Sequence, residues 1–212
     1  MGEGDDGAAV LETLSEAREL GLLGPAPLEG QVDHARGFAL ALEAAGIAQP
    51  YSALDLGSGG GIPGLVLALA WPGARFTLLD AGRRRAAFLR RAVLRCGLEE
   101  RVTVVEGRAE EAGRDPRQRG AYQLVVARSF GPPATTAECA APFLGVRGAL
   151  VVSEPPDEDE GARWSEAGLA LLGMGPPLLV RETFGYAVIP QVSSCPERFP
   201  RRVGVPSKRP LF

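Results

Sequence analysis

Histidine and lysine are nearly missing from this chain of 212 residues: His34 is the only histidine and Lys208 the only lysine. One imidazole without clustered cysteines argues against a zinc or other histidine-based metal site, so no metal is expected. Cysteine is sparse as well. Cys96, Cys139 and Cys195 are odd in number, far apart and in no metal spacing, which favours a reduced, cytoplasmic protein over a disulfide framework. No run of about twenty apolar residues occurs, so no membrane span is expected. Met1–Val10 carries Glu3, Asp5 and Asp6 and no basic residue, unlike a signal or transit peptide. A net charge of -3 speaks against a general nucleic-acid binder. The positive charge is nevertheless uneven, with arginines gathered at Arg83–Arg95 and toward the C-terminus.

What the chain does contain is a glycine-rich turn, Ala53-Leu54-Asp55-Leu56-Gly57-Ser58-Gly59-Gly60-Gly61-Ile62-Pro63-Gly64. It reads as a short strand, an acid, a turn and a helix opening on Pro63. Glycine lets the backbone approach a ligand closely because it has no Cβ and tolerates positive φ. Proline suits a first helical turn, where its missing N–H has no partner to lose. A strand that delivers a ligand to a helix N-terminus begins a nucleotide-binding α/β domain. Gly59, Gly61 and Gly64 also spell G-x-G-x-x-G, so the loop alone leaves a dinucleotide open.

The rest of the chain follows that beginning. Residues 1–7 are expected to fray. Ala8–Leu22 and Leu28–Ala45 have helical spacing and form a helical N-terminal extension over 1–50. His34 falls in the second helix and reads as a helix-surface or capping residue. Strands are expected at Tyr51–Leu56, Ala74–Asp80, Arg101–Glu106, Ala121–Arg128 and Gly148–Ser153, with helices at Ile62–Trp71, Arg83–Cys96 and Pro133–Leu144. This alternation implies right-handed βαβ units and an open, mostly parallel sheet. Pro155–Gly161 is an acidic loop and Ala162–Leu172 a helix. Leu178–Thr183 and Tyr186–Pro190 meet at Phe184-Gly185 as an antiparallel edge pair. Arg198–Phe212 is a basic tail expected to be neither strand nor helix. A single domain over 1–212 follows.

Ligands of open α/β sheets bind beyond the carboxyl ends of the strands, where strand order reverses. Polar residues fall at each of those exits: Asp55, Asp80, Arg108-Ala109-Glu110 and Arg128-Ser129. Singly, each reads equally well as a cap or surface charge; together they mark a site. Asp80 is placed to accept ribose hydroxyls. Glu110, or the backbone at Ala109, faces an adenine edge. Arg128 offers a fork for a carboxylate or phosphate. Asp55 orients the loop or, through water, holds an ammonium group. An adenosine bearing an amino-acid tail, S-adenosylmethionine, fits that set better than a dinucleotide. Arg84, Arg91 and Arg95 lie off the apolar face of their helix and read mainly as a solvated face, while Arg85 either snorkels or meets the site. The tail from Glu197 to Pro210 has five positive charges on a Pro/Gly backbone suited to phosphate contacts.

The motifs Asp55–Gly64, Leu78-Leu79-Asp80, Arg84-Arg85 with Phe88-Leu89, Arg108-Ala109-Glu110 and Val126-Ala127-Arg128 resemble, in order and spacing, the RsmG family. These are 16S rRNA guanine-N7 methyltransferases, also called glucose-inhibited division protein B. Phe199–Leu211 is similar to that family's basic, proline-punctuated C-terminus. The resemblance implies a Rossmann-like class I fold with a seven-stranded sheet, and S-adenosylmethionine as donor. It implies contacts at Gly57, Ile62, Ala109, Glu110 and Arg128, and with the strand exits and the loop the expected cofactor set is Asp55, Gly57, Ser58, Gly59, Ile62, Asp80, Ala81, Arg108, Ala109, Glu110 and Arg128. Arg84, Arg198, Arg201, Arg202, Lys208 and Arg209 are the expected contacts to 16S rRNA or the 30S subunit. No catalytic base is assigned, because guanine N7 has a free lone pair. Three departures stand out, one of them a short and acidic N-terminal region. Asp33-His34-Ala35-Arg36-Gly37-Phe38 keeps only the histidine of a polar family pattern, and Glu154 stands where a lysine is common, so that an acid there is expected to repel RNA. A methyltransferase with a small-molecule or protein acceptor and a non-catalytic ribosome-associated module are the competing readings, with a nicotinamide dehydrogenase ranked below them for want of a hydride-transfer acid/base pair.

Overall fold

The computed structural model describes residues 3–156 and 163–212. Its centre is a seven-stranded sheet in the order β3-β2-β1-β4-β5-β7-β6. The strands are β1 Ser52–Leu56, β2 Arg75–Asp80, β3 Val102–Glu106, β4 Tyr122–Ala127, β5 Leu144–Glu154, β6 Leu178–Arg181 and β7 Gly185–Pro190. The first five pair in parallel, and β7 pairs antiparallel with both β5 and β6. The mostly parallel sheet with an antiparallel edge pair, expected from the alternation of elements, is therefore present.

Strands buried on both faces need apolar residues at successive positions, because consecutive side chains point to opposite layers. β4 shows this: Leu124 and Val126 join one core, Val125 and Ala127 the other. The first core is roofed by α1 Glu3–Glu19, α2 Leu28–Ala44, α3 Gly64–Ala70 and α4 Arg83–Arg95. The second lies under α6 Pro133–Ala140 and α7 Glu166–Ala170. Leu14, Ala17, Ala35, Phe38 and Ala41 are fully buried, so the N-terminal helices are a structural layer of the sheet. They are tied to it by the Tyr186 hydroxyl, which donates to the His34 carbonyl at 2.6 Å.

Several boundaries differ from those read in the sequence. α1 already begins at Glu3, inside the stretch expected to fray. α3 begins at Gly64 with Pro63 as its N-cap, because the turn at Gly61 (φ 96) delays helix entry. The helix expected through Leu144 stops at Ala140 and passes into a 3-10 turn, Ala141–Phe143, whose Pro142 has no N–H to continue the α-helix. β5 starts at Leu144, which pairs with Tyr122 across a register shift. A short helix, α5 Ala109–Ala112, follows β3. The tail contains another, α8 Val205–Lys208: Gly204, at φ 76, turns the chain into it and Pro206 suits its first turn. The expected loop at 155–161 lies mostly outside the described residues, and the helix after it is shorter than read.

Two glycines of α2 separate helix propensity from packing. Gly30 is exposed with open space around a built Cβ, whereas a Cβ on Gly37 overlaps the Tyr186 hydroxyl. Gly30→Ala is expected to raise stability by about 0.5–1 kcal/mol, through the entropy of the unfolded chain. Gly37→Ala, with the same gain in propensity, is expected to lower it by about 1–3 kcal/mol through overpacking. Urea midpoints of the two variants, moving in opposite directions, are the check.

Candidate active site

Strand order reverses between β1 and β4, and the carboxyl ends there open into a cleft of about 550 Å³. Its floor is the loop from Leu56 to Gly60 with Ile62; its sides are Leu79-Asp80-Ala81, Gly107-Arg108-Ala109-Glu110 and Arg128-Ser129-Phe130. All the expected cofactor residues except Asp55 line this one cleft.

Asp55 lies beneath it. The Gly64 N–H donates to Asp55 Oδ2 at 3.0 Å, and the Ser58 hydroxyl to the Asp55 carbonyl at 3.0 Å, so this residue clamps both ends of the loop. Gly64 has to be glycine here, since a Cβ would stand 2.5 Å from that carboxylate oxygen. Asp55 Oδ1 is buried without a partner. Burial pushes the Asp55 pKa up to about 7, although the Gly64 N–H pulls the other way.

Asp80 is 4% exposed and faces the loop from β2. Its Oδ2 accepts from the Gly59 N–H at 2.9 Å, and its Oδ1 from the Gly82 N–H and Arg85 Nε, both at 2.7 Å. Of the two alternatives for Arg85, the structure shows the one that meets the site, with its side chain half-exposed. Arg128 is bound to the N-terminal helices: its Nη2 donates to Gln31 Oε1 at 3.0 Å, and Gln31 Nε2 donates to the carbonyls of Gly24 and Ala26. Arg128 Nη1 is buried without a partner, and burial lowers its pKa.

A second cleft of about 320 Å³ shares the Arg128-Ser129-Phe130 wall and continues along the ends of β4 and β5. Ser129 holds a left-handed φ of 54 at this wall. His34 lines the second cleft, against the rings of Phe38, Phe184 and Tyr186. It is thus no surface or capping residue. Burial, helped by Arg128, lowers its pKa to about 4, so it is neutral at pH 7. Glu154 also lines this cleft, but its carboxylate accepts from Arg163 Nη1 at 2.7 Å and Trp164 Nε1 at 2.9 Å. Its charge is neutralised locally, which removes the reason to expect RNA repulsion from it.

The expected RNA contacts fall into two groups. Arg84, Arg202, Lys208 and Arg209 are exposed, Arg84 reaching the Leu20 carbonyl at 3.2 Å; Arg198 lies over the Phe199 ring. Arg201 instead directs its guanidinium inward to Glu138. Farther along α4, Arg91 and Arg95 pair with Glu16 and Arg90 with Glu106, so these arginines are tied up within the fold. The sequence reading missed Leu22-Leu23-Gly24, Thr135, Cys139 and Ser207 as lining residues. They arrive by tertiary packing, and no local motif marks them. Burial raises the Cys139 thiol pKa well above its usual range, so it is protonated and inert. Among the described residues no group of three or more potential metal ligands occurs, and no helix is long and apolar enough to cross a membrane.

A glycine loop, an acid at the end of β2 and a cleft at the switch point of this sheet fit a class I methyltransferase, whose methyl donor is S-adenosylmethionine. Solved structures share the fold: cofactor-bound Rv0187 from MTB (TM-score 0.62, 20% identity, covering 87% of this chain and 89% of that one) and the O-methyltransferase from Bacillus cereus with SAH (TM-score 0.60, 15% identity, 87% and 90%). A family model described as rRNA small subunit methyltransferase G matches residues 36–163. Proteins named ribosomal RNA small subunit methyltransferase G are 37% identical over 179 residues in Prochlorococcus marinus (77% of this chain, 69% of that one) and 35% over 167 in Pelotomaculum thermopropionicum (76% and 70%). The chain belongs to the rRNA small subunit methyltransferase G family.

Asp55 beneath the first cleft and His34 in the second act oppositely on stability. Asp55 titrates above its ordinary 3.8 in the fold, so the folded state binds more protons and stability falls as pH rises from about 4 to about 7. His34 titrates below its ordinary 6.5, so the unfolded chain binds more protons and stability rises between about pH 4 and 6.5. The two slopes offset each other in the native protein. Asp55→Asn is expected to leave a rising profile and His34→Gln a falling one, in urea unfolding at a series of pH values. Identical profiles for all three proteins would contradict the assignment.

Proposed function

We propose that this enzyme transfers the methyl group of S-adenosylmethionine to N7 of a guanine in small-subunit rRNA, using the first cleft for the donor and the second for the acceptor base. An acceptor on the small ribosomal subunit puts the enzyme in the cytoplasm. The observation that carries the reading is the convergence of residues from four strand exits on one cleft, with a second cleft across the Arg128-Ser129-Phe130 wall.

The residues present fit the donor. Gly57, Ser58 and Gly59 give a floor of small residues with the apolar Ile62 beside it, and Asp80, with Ala81 next to it, receives the ribose hydroxyls at the place where the half-exposed Arg85 now sits. Arg108, Ala109 and Glu110 border the adenine. Arg128, with an unpartnered buried N–H group, is the fork for the amino-acid carboxylate, and Asp55 acts through the loop. When bound, S-adenosylmethionine supplies an electrophilic methyl on a sulfonium sulfur. Guanine N7 offers a lone pair and has no proton to lose, so the protein needs no general base. Its work is alignment and exclusion of water, which can supply most of the acceleration. The protonated Cys139 and neutral His34 suit a site of that kind.

Arg84, Arg198, Arg202, Lys208 and Arg209 are the proposed phosphate contacts. Labelled S-adenosylmethionine should transfer label to small-subunit rRNA, or to 30S particles, from a strain lacking the enzyme. Label absent from rRNA, with cofactor binding intact, would refute the acceptor. Asp80→Ala should weaken S-adenosylhomocysteine binding while RNA binding persists. Arg202→Ala with Arg209→Ala should do the reverse, reducing the salt slope of RNA binding by about 0.7 for each phosphate of single-stranded RNA that is no longer neutralised.

A further inference from the structure

The tail is not a loose appendage. Arg119 donates to the carbonyls of Cys195, Pro196 and Phe199 at 2.8–3.0 Å, and Arg114 to that of Pro200 at 2.5 Å. The next residue, Arg201, meets Glu138 of α6. Both Glu138 oxygens accept from its side chain, Oε1 also accepts from its backbone N–H at 2.8 Å, and Glu138 has no exposed surface. Beyond this latch the Gly204 N–H donates to Glu110 Oε1 at 2.9 Å, and the Thr135 hydroxyl to the Pro206 carbonyl at 3.2 Å. Glu110, Thr135 and Ser207 all line the first cleft; Glu138 and Arg201 do not.

We propose that residues 201–207 support one side of the S-adenosylmethionine cleft, which the segment lines at Ser207, and that Arg201 is the positioning residue that seats it through Glu138. Three features carry it. A carboxylate with no solvent access needs a permanent partner, so Arg201 is held at Glu138 and is not free to exchange it for a phosphate. The bond from Gly204 fixes Glu110, the side chain assigned to the adenine edge. α6 presents Thr135 and Cys139 to the cleft and Glu138 to the latch, so one short helix connects the two. The tail therefore has two faces: Arg202, Lys208 and Arg209 are exposed, while Arg201 and Gly204 hold Glu138 and Glu110 and Ser207 lines the cleft. The inference rests on the first cleft being the donor site.

Calorimetric titration of the full chain with S-adenosylhomocysteine tests it, at a temperature where circular dichroism shows each variant folded. Arg201→Met should weaken binding by about tenfold, an ordinary strength for coupling between sites. Arg201→Lys should recover part of the loss, since it restores the charge without the fork. Gly204→Ala keeps the ion pair but strains a left-handed backbone position with open space around it, and should weaken binding severalfold. Native affinity in Arg201→Met, with a reduced salt slope of RNA binding, would return Arg201 to the RNA and overturn the proposal. If Arg201→Met does not fold, Gly204→Ala decides, and its unchanged affinity overturns it equally. Failure of the native protein to bind S-adenosylhomocysteine would overturn the donor reading itself, and the inference with it.

Discussion

The hydrogen bond from the Gly64 N–H to the buried Asp55 carboxylate is the constraint around which the site is built. It spans the whole glycine turn, joining the end of β1 to the first residue of α3. The turn is thereby fixed, with the Gly57 and Ser58 N–H groups donating to the Leu79 carbonyl and the Gly61 N–H to that of Ser58. A second acid, Asp80, grips the same turn through the Gly59 N–H. Two carboxylates from neighbouring strands thus fix the loop before any ligand arrives. The arrangement has an electrostatic cost, since Asp55 lies where charge is poorly solvated and its other oxygen has no partner.

The outer parts of the site depend on elements remote in sequence. Gln31 ties the turn between α1 and α2 to Arg128, so the N-terminal helices orient the guanidinium between the two clefts. At the opposite side the tail closes on Glu110 and Thr135. Charges elsewhere are absorbed locally: Arg163 pairs with Glu154, which also accepts from Trp164, and Glu16 holds Arg91 and Arg95. A chain with a small net charge can in this way leave a few selected cations exposed.

How legible all this is in the sequence depends on the range of the interaction. β1 to β4 and the glycine turn are legible because strand periodicity, Gly and Pro act within a few residues. The polar strand exits follow from topology, so the cleft's lining at Asp80, Ala109, Glu110 and Arg128 can be named in advance. The partner of Arg201 cannot, because a buried Glu138 and a free surface arginine look alike in composition. His34 resists for the same reason: its cage of Phe38, Phe184 and Tyr186 is assembled across the sheet. α8 is short, and only its left-handed Gly204 and its packing on α6 make it a helix.

Leu22 and Ser207 line the same cleft although they come from the first helix–helix turn and the last short helix. A cavity whose walls are that far apart along the chain exists only while both the N-terminal helices and the tail are docked on the sheet. A form in which either end is undocked lacks one wall of it. A ligand held there discriminates the finished fold from every precursor, and at about a hundred times its dissociation constant it would add about 2.7 kcal/mol to stability. The ligand that the enzyme consumes is in that sense also a measure of how much of the enzyme is complete.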